Sequence, residues 1–542
     1  MAADEIKLLV DVAEGRAQAD TLFTNAQIVD VYGQRVVRGR VAVADGAIAG
    51  VLFDDRDGAV PDPPAAQAID CEGRYLAPGF IDGHLHIESS NVRPAEYARM
   101  ALARGTTTAI ADSHEIANVC GLDGLAFMIE DARRVPLDIK FMMPRACPRC
   151  PTTGGCSITA EDMRAFMGEH PGEVFGLGEM MNYPGVEAAD AETLARIDAA
   201  AATVSGVVDG HAPLVAGADL NAYVASGVIA DHECTGPEEA LDKLSRGMYI
   251  MLREGTCSHD LEALSPVVLE NPLRARRCCF ATDDRAPSDA LAIGMIDNAC
   301  RLAVERGIDP VLAISMGTLS TAECFGLDHG HGGPLEHCGA IAPGKRADLL
   351  LLDDLSFERA PHRVYAAGKL VAEDGLFVGD VAPETARVQE LEATLRGSVR
   401  LPELSPEVFS YDYQPGSAVI DVIPGNAITG AAHPDSGEGL RRIMLIERHG
   451  RGVAAQAAGA DGAGPAGCGL TGTHIGRGWV RGFTITGGAI ASTVGHDSHN
   501  VCVVGDNPHD MFEAVRNVGQ GGFVLVRDAR WSQSSRSRSA GS

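Results

Sequence analysis

Residues Ala77–Ser90 read APGFIDGHLHIESS, and the fold follows from how that stretch is understood. A Pro-Gly turn leads into a short apolar run and then to His84 and His86. The run has the composition of a buried strand, Phe80 to Asp82. Side chains alternate along a strand, so residues two apart point the same way. Two neutral imidazoles on one side of a rigid strand end make half a metal site. An HxH pair alone is weak evidence; the turn, the apolar run and the polar residues beyond supply the frame.

Outward from this strand the pattern strand, loop, helix repeats. Apolar strands are expected at Phe80–Asp82, Thr107–Ala111, Ile139–Met143, Val174–Gly178, Gly206–Asp209, Val228–Ala230, Tyr249–Leu252 and Cys279–Ala281. Ala- and Leu-rich helical segments lie between them, such as Ala191-Glu-Thr-Leu-Ala-Arg-Ile-Asp-Ala-Ala. Alternation of this kind implies a parallel sheet, and eight units close a (β/α)8 barrel. A doubly wound open sheet is the competing arrangement.

The flanks read differently. An amphipathic helix is expected over the first 20 or so residues, then short strands with Gly turns as far as Pro61–Pro64. Strand patterns return at Gly339–Leu352 and Val364–Val371. Neither piece buries enough surface alone, so both are expected in one composite β-sandwich. The expected division is residues 1–76 for the helix and first part of the sandwich, and 77–335 for the catalytic barrel. The second sandwich part follows at 336–385, with an α+β C-terminal domain at 386–542. Strands are expected there near Val419–Ile423 and Arg442–Glu447. Arg451–Arg477 is rich in Gly and Ala and reads as loop, and RWSQSSRSRSAGS as a polar tail without core residues.

Composition narrows the function. The chain has 542 residues, enough for one large barrel with satellites, and 45% of them are apolar. A net charge of −29 argues against a nucleic-acid partner, because phosphate binding needs a basic surface. No run of about 18 apolar residues suggests a membrane span. The acidic N-terminal stretch is unlike a secretory leader. The 14 cysteines form no regular framework and are expected reduced, in a cytoplasmic protein.

Functional side chains of such barrels sit at the C-terminal ends of the strands. Here His84 and His86 end the first strand, Asp112 and His114 the second, and Glu179 the fourth. His211, His232 and Asp283 end the fifth, sixth and eighth. Any one of these, taken singly, is better explained as a surface or capping residue. Six strands in agreement point to one site. Four histidines and two carboxylates suit two divalent cations, with Glu179 able to bridge them. Such pairs lie about 3.5–4 Å apart and ionise a shared water near neutral pH. Asp283 is placed to take that water's proton and pass it to a leaving group. The donor mix suits Mn, Fe or Zn.

APGFIDGHLHIESS, ADSHEIANVCG, GEMMNYPGV, DGHAP, DHE, MLREGT and FATDDR, in this order, resemble the amidohydrolase superfamily, and within it the adenine deaminase family. HDSHN, His496–Asn500, is similar to that family's C-terminal motif. The resemblance spans nearly the whole chain. It implies hydrolysis of adenine to hypoxanthine and ammonia at a binuclear centre, with manganese the first expectation and iron or zinc the alternatives. It implies His84, His86, Glu179, His211 and His232 as ligands, with Asp283 as a further ligand and the proton shuttle. Asp112, His114 and Glu115 are the candidates for handling the purine, and His499 for closing the pocket. The expected partner is the small-molecule substrate adenine, with no nucleic acid and no membrane, in a homo-oligomer taken to be a dimer.

Three features depart from the family pattern. His329–Cys338 reads as an inserted, exposed His-rich loop. The Gly/Ala-rich stretch before Trp479 replaces what is usually ordered. The chain also stops soon after Gly522-Phe-Val-Leu-Val, so a shortened last domain is expected. Cys147, Cys150 and Cys156 are three thiols where a structural zinc wants four ligands, and free thiols are expected. Two rival functions stay open: a cyclic amidohydrolase of the hydantoin or dihydropyrimidine type, and a metal-free scaffold. The first commonly carries a modified lysine on the fourth strand, where Glu179 stands here.

Overall fold

A computed structural model describes residues 3–144, 155–329, 334–423, 429–451, 474–495, 499–528 and 530–535. Cys147, Cys150, His331, the core of the Gly/Ala-rich stretch (452–473), His496 to Ser498 and the final residues from 536 lie outside the described residues.

Eight parallel strands form the central barrel. They are β1 (Phe80–Leu85), β2 (Thr106–Asp112), β3 (Asp138–Met143), β4 (Gly176–Met180), β5 (Val208–Gly210), β6 (Ala230–Asp231), β7 (Tyr249–Arg253) and β8 (Cys278–Ala281). β1 to β5 make one ladder and β6 to β8 another. Parallel bridges Val208↔Val228 and Leu85↔Asp283 join the two ladders and close the ring. Ile81, Ile110, Met142, Met251 and Cys279, from five of these strands, meet in one buried cluster with Phe325 and Leu327. A larger cluster packs the opposite strand faces on the surrounding helices.

Two strands reach further than their apolar runs indicate. β1 continues through Asp82 to Leu85, and β4 continues past Gly178 through Glu179. The reason is tertiary pairing. His84 C=O accepts the Asp283 N–H at 2.9 Å, and His86 N–H donates to Asp283 C=O at 3.3 Å. Polar side chains do not end a strand whose backbone still has partners on both sides.

The β segments on either side of the barrel form one nine-stranded sheet. Leu349–Leu352, after the barrel, pairs antiparallel with Tyr75–Pro78, before it. The sheet curls, so that Ala47 bridges Arg346 and Phe23 meets Tyr365 edge-on, with ring centroids 5.0 Å apart. The C-terminal region builds a separate eight-stranded sheet. Helix Pro508–Asn517 lies against it, and Phe409, Met444, Val503, Met511 and Val515 fill the layer between. Part of the polar C-terminal stretch, Arg530–Ser535, pairs with Phe523–Arg527 as an edge strand. The polar-tail expectation fails there because an edge strand needs backbone partners, not apolar side chains. Helix Ala386–Leu395 buries Val388, Leu391 and Leu395 in the barrel's own core.

Arg346 ties the curled sheet to the barrel. It is buried, and it donates to Asp138 at the start of β3, to Thr108 Oγ1 in β2 at 2.5 Å and to Asp348 at 2.6 Å. Removing one partner of a buried ion network strands the other charges, at a cost of about 3–5 kcal/mol. Arg346→Met is therefore expected to lower the denaturant midpoint of the whole chain sharply. An unchanged midpoint in guanidinium unfolding would contradict this.

Candidate metal centre

The two histidines at the C-terminal end of β1 set the geometry. His86 Nδ1 lies 2.8 Å from the Asp112 carbonyl oxygen, which can only accept, so Nδ1 carries the proton. His84 Nδ1 lies 2.9 Å from Asp209 Oδ2, which assigns its proton the same way. Both Nε2 atoms then carry lone pairs, and they face each other at 3.2 Å. Two lone pairs at that separation call for a positive charge beside them.

Glu179 gives each carboxylate oxygen a different set of neighbours. Oε1 is 3.2 Å from His114 Nδ1 and 3.6 Å from His86 Nε2. Oε2 is 2.6 Å from His211 Nδ1 and 3.3 Å from His232 Nε2. Burial works against a charge on Glu179, but His211, His232 and His114 outweigh it and hold the carboxyl well below its ordinary range. Burial likewise opposes a charge on His232, yet Glu179 and Glu233 push its pKa up to about 9. The His84 and His232 rings stack with centroids 3.9 Å apart, which suits neutral imidazoles better than two charged ones. Glu179 thus draws positive charge to its side, in this cluster as a proton on His232, and a bound cation can supply the same charge while the imidazoles stay neutral. Divalent cations fit that demand, and the imidazole and carboxylate donors fit their chemistry. His84–His86–Glu179 and Glu179–His211–His232 are two groups that could each hold an ion, with Glu179 common to both.

Asp283 completes the ring of side chains. Its Oδ1 is 3.4 Å from His86 Nε2, while Arg253 donates to its Oδ2 at 2.9 Å. Its backbone has φ +54°, a left-handed conformation that costs a non-glycine residue about 1–3 kcal/mol. The two backbone hydrogen bonds to β1 hold it there.

The second-strand segment divides into two roles. Asp112 Oδ2 accepts the Glu179 N–H at 2.8 Å and so orients that residue. Any side chain at 178 would collide with it, since a Cβ on Gly178 would lie 2.3 Å from Asp112 Oδ2. His114 stands beside Glu179 and joins Asp112 in a third potential ligand group. Glu115 turns away from the cluster, accepting from Ser89 Oγ at 2.8 Å and facing His499 Nε2 at 3.8 Å. His499 comes from the C-terminal sheet region with φ +48°, and buried Arg448 donates to its carbonyl at 3.1 Å.

Four participants escaped the sequence reading. Asp209 orients His84; its signal was its place two residues before His211, at the end of the same strand. Glu233 Oε1 is 3.5 Å from His232 Nε2, and Arg253 bridges Glu233, Asp260 and Asp283. Both stand in quoted motifs, DHE and MLREGT, but nothing local marks which partners they find. Glu88 follows His84 and His86 in phase, is buried, and is pushed up to about 7 by burial and then by the Glu115 charge. The other candidates stay apart. Cys156 Sγ donates to Ala117 C=O at 2.9 Å, and His329 is exposed beside Asp328.

The comparisons with known proteins give the chain its family. The family model described as "Amidohydrolase family" matches residues 75–371, and "Adenine deaminase C-terminal domain" matches 469–540. The chain belongs to the amidohydrolase family. An adenine deaminase of Nitratidesulfovibrio vulgaris is 42% identical over 96% of this chain and 85% of its own. One of Desulfatibacillum aliphaticivorans is 40% identical over 96% and 85%. Within the amidohydrolases, the chain therefore belongs with the adenine deaminases. Among solved structures, enamidase aligns with 68% of this chain and 98% of its own at a TM-score of 0.48 and 18% identity.

Loss of a residue that orients a metal ligand typically costs about 10–100-fold in metal affinity. Asp209→Asn is expected to show that loss in chelator competition, read by elemental analysis, with the fold intact by circular dichroism. Wild-type metal retention would remove Asp209 from the centre.

Proposed function

We propose that the chain hydrolyses adenine to hypoxanthine and ammonia at a pair of divalent cations. His84, His86, Glu179, His211, His232 and Asp283 would hold the pair, manganese before iron or zinc. The observation that carries this reading is the shared carboxylate: each Glu179 oxygen faces its own histidines, 2.6–3.6 Å away. The likeness to adenine deaminases over nearly the full chain supports the choice of substrate. When bound, divalent cations acidify water and so supply the nucleophile at neutral pH.

The chain's own groups handle the protons. Arg253 occupies Oδ2 of Asp283 and leaves Oδ1 turned toward the cluster. Asp283 Oδ1 takes the proton from the attacking water and returns it to the exocyclic nitrogen, which departs as ammonia. Attack at C6 also needs a proton at the ring. Glu88, near His86, and Glu115 are two buried carboxyls whose charges oppose each other, and one of them can keep a proton at neutral pH because like charges so close do not both ionise. His114 faces the same space from the start of the helix after β2, and His499 would close it from the C-terminal region. Positioned acid–base groups contribute about 10²–10⁴-fold.

No helix among the described residues is long and apolar enough to cross a membrane. A small-molecule substrate, a homodimer and a cytoplasmic setting complete the proposal; gel filtration tests the dimer.

With added Mn, the protein is expected to release ammonia from adenine with matching hypoxanthine, and neither ammonia from cytosine nor ring-opened product from hydantoin. Turnover of hydantoin without adenine would overturn the substrate. Asp283→Asn is expected to lower kcat by about 10²–10⁴-fold while the chain stays folded. A near-normal kcat would remove Asp283 from proton transfer.

A further inference from the structure

The two potential ion positions stand on unequal supports. His84 and His86 rise from β1, six residues long, paired with β2 and bridged to β8. His211 and His232 rise from the two shortest barrel strands, β5 with three residues and β6 with two. Between those strands the ladder is the bridge Val208↔Val228, with Ile229 N–H donating to Val208 C=O at 3.1 Å. Main-chain pairing therefore supplies little rigidity where two ligands of one group must stay in register.

Two buried side chains span this gap. Tyr223, on helix Gly217–Ala225, is fully buried. Its hydroxyl donates to Met180 C=O at 2.7 Å and accepts the His211 N–H at 2.9 Å. One oxygen thus links the residue after Glu179 to His211 itself. A Cβ at Gly210 would lie 2.1 Å from Ala230 C=O and 3.1 Å from the Tyr223 hydroxyl, so glycine makes this approach possible. Lys243, on helix Pro237–Ser245, is also fully buried. It donates to Ala212 C=O at 2.7 Å, to Asp231 Oδ2 at 2.8 Å and to Glu239 Oε1 at 2.6 Å. Asp231 Oδ1 accepts the Ala212 N–H at 2.8 Å. Ala212 follows His211, and Asp231 precedes His232. Tyr223 therefore holds the backbone of His211 and of Glu179's neighbour Met180, while Lys243 holds the side chain of His232's neighbour Asp231.

Resting on the binuclear reading above, we propose that Tyr223 and Lys243 are positioning residues that hold the Glu179–His211–His232 cation selectively. Both lie behind the ligands, on the helices that follow β5 and β6. Loosening them frees one ion and leaves the His84–His86 ion in place. Outer contacts of this kind change metal affinity by about 10–100-fold.

The test uses the full chain loaded with Mn. Tyr223→Phe removes one oxygen and keeps the packing; Lys243→Met strands two carboxylates and serves as the harsher variant. Each is titrated with a chelator, with Mn counted by elemental analysis and the spin-coupled pair followed by electron paramagnetic resonance. Circular dichroism and melting of the metal-free chain report the fold. The expected result is that Tyr223→Phe, still folded, gives up one of two ions at about 10–100-fold lower chelator than the wild type, with the coupled spectrum replaced by that of an isolated ion. Retention of both ions at wild-type strength by Tyr223→Phe overturns the clamp alone, as does loss of both ions together. A wild-type chain that binds fewer than two Mn overturns the binuclear reading, and the clamp with it.

Discussion

Glu179 carries a charge where water does not reach, and the rest of the structure answers to it. An ionised carboxylate taken out of water costs several kcal/mol unless it is closely paired. Here its pairing comes from rings on four different strands and the loops that follow them. None of these residues lies near Glu179 in sequence except through the closure of the barrel. His84, His86, His114, His211 and His232 stand around one carboxylate because parallel strands in a ring bring their C-terminal ends to one rim. An open sheet would leave β1 and β8 at opposite edges. The bridge Leu85↔Asp283 removes that separation and delivers Asp283 to His86.

Ring closure also explains where strain is stored. Asp283 adopts φ +54° at the point where β8 meets β1, and its backbone hydrogen bonds to His84 and His86 hold it there. Arg253 fixes the far oxygen of the same carboxylate. A side chain held from both ends keeps one oxygen aimed at the cluster without further adjustment. The C-terminal region adds a contact of the same kind: Arg448 grips the His499 backbone at φ +48°, and the His499 ring faces Glu115. The Glu115–His499 contact thus joins two units, and the family match at 469–540 falls on the one that supplies His499.

Much of this was legible in the sequence. Period-two placement of His84 and His86 already puts both rings on one side, and repeated strand-to-helix alternation already implies a barrel. Polar residues after apolar runs mark His211, His232 and Asp283. What stayed hidden were pairings across large separations. Asp209 finds His84 from 125 residues away, and Arg346 reaches Asp138 across 208. Strand ends at Leu85 and Met180 were also misjudged, because the apolar run stops before the backbone pairing does.

By itself the sequence determined which residue types stand at the ends of which strands, since that depends only on spacing along one chain. Only the tertiary structure decided which nitrogen of each ring faces inward, which carboxylate stands between two sets of histidines and which merely orients, and that Tyr223 and Lys243 reach across the short strands. Those outcomes depend on distances between segments far apart in sequence, and such distances exist only once the ring has closed.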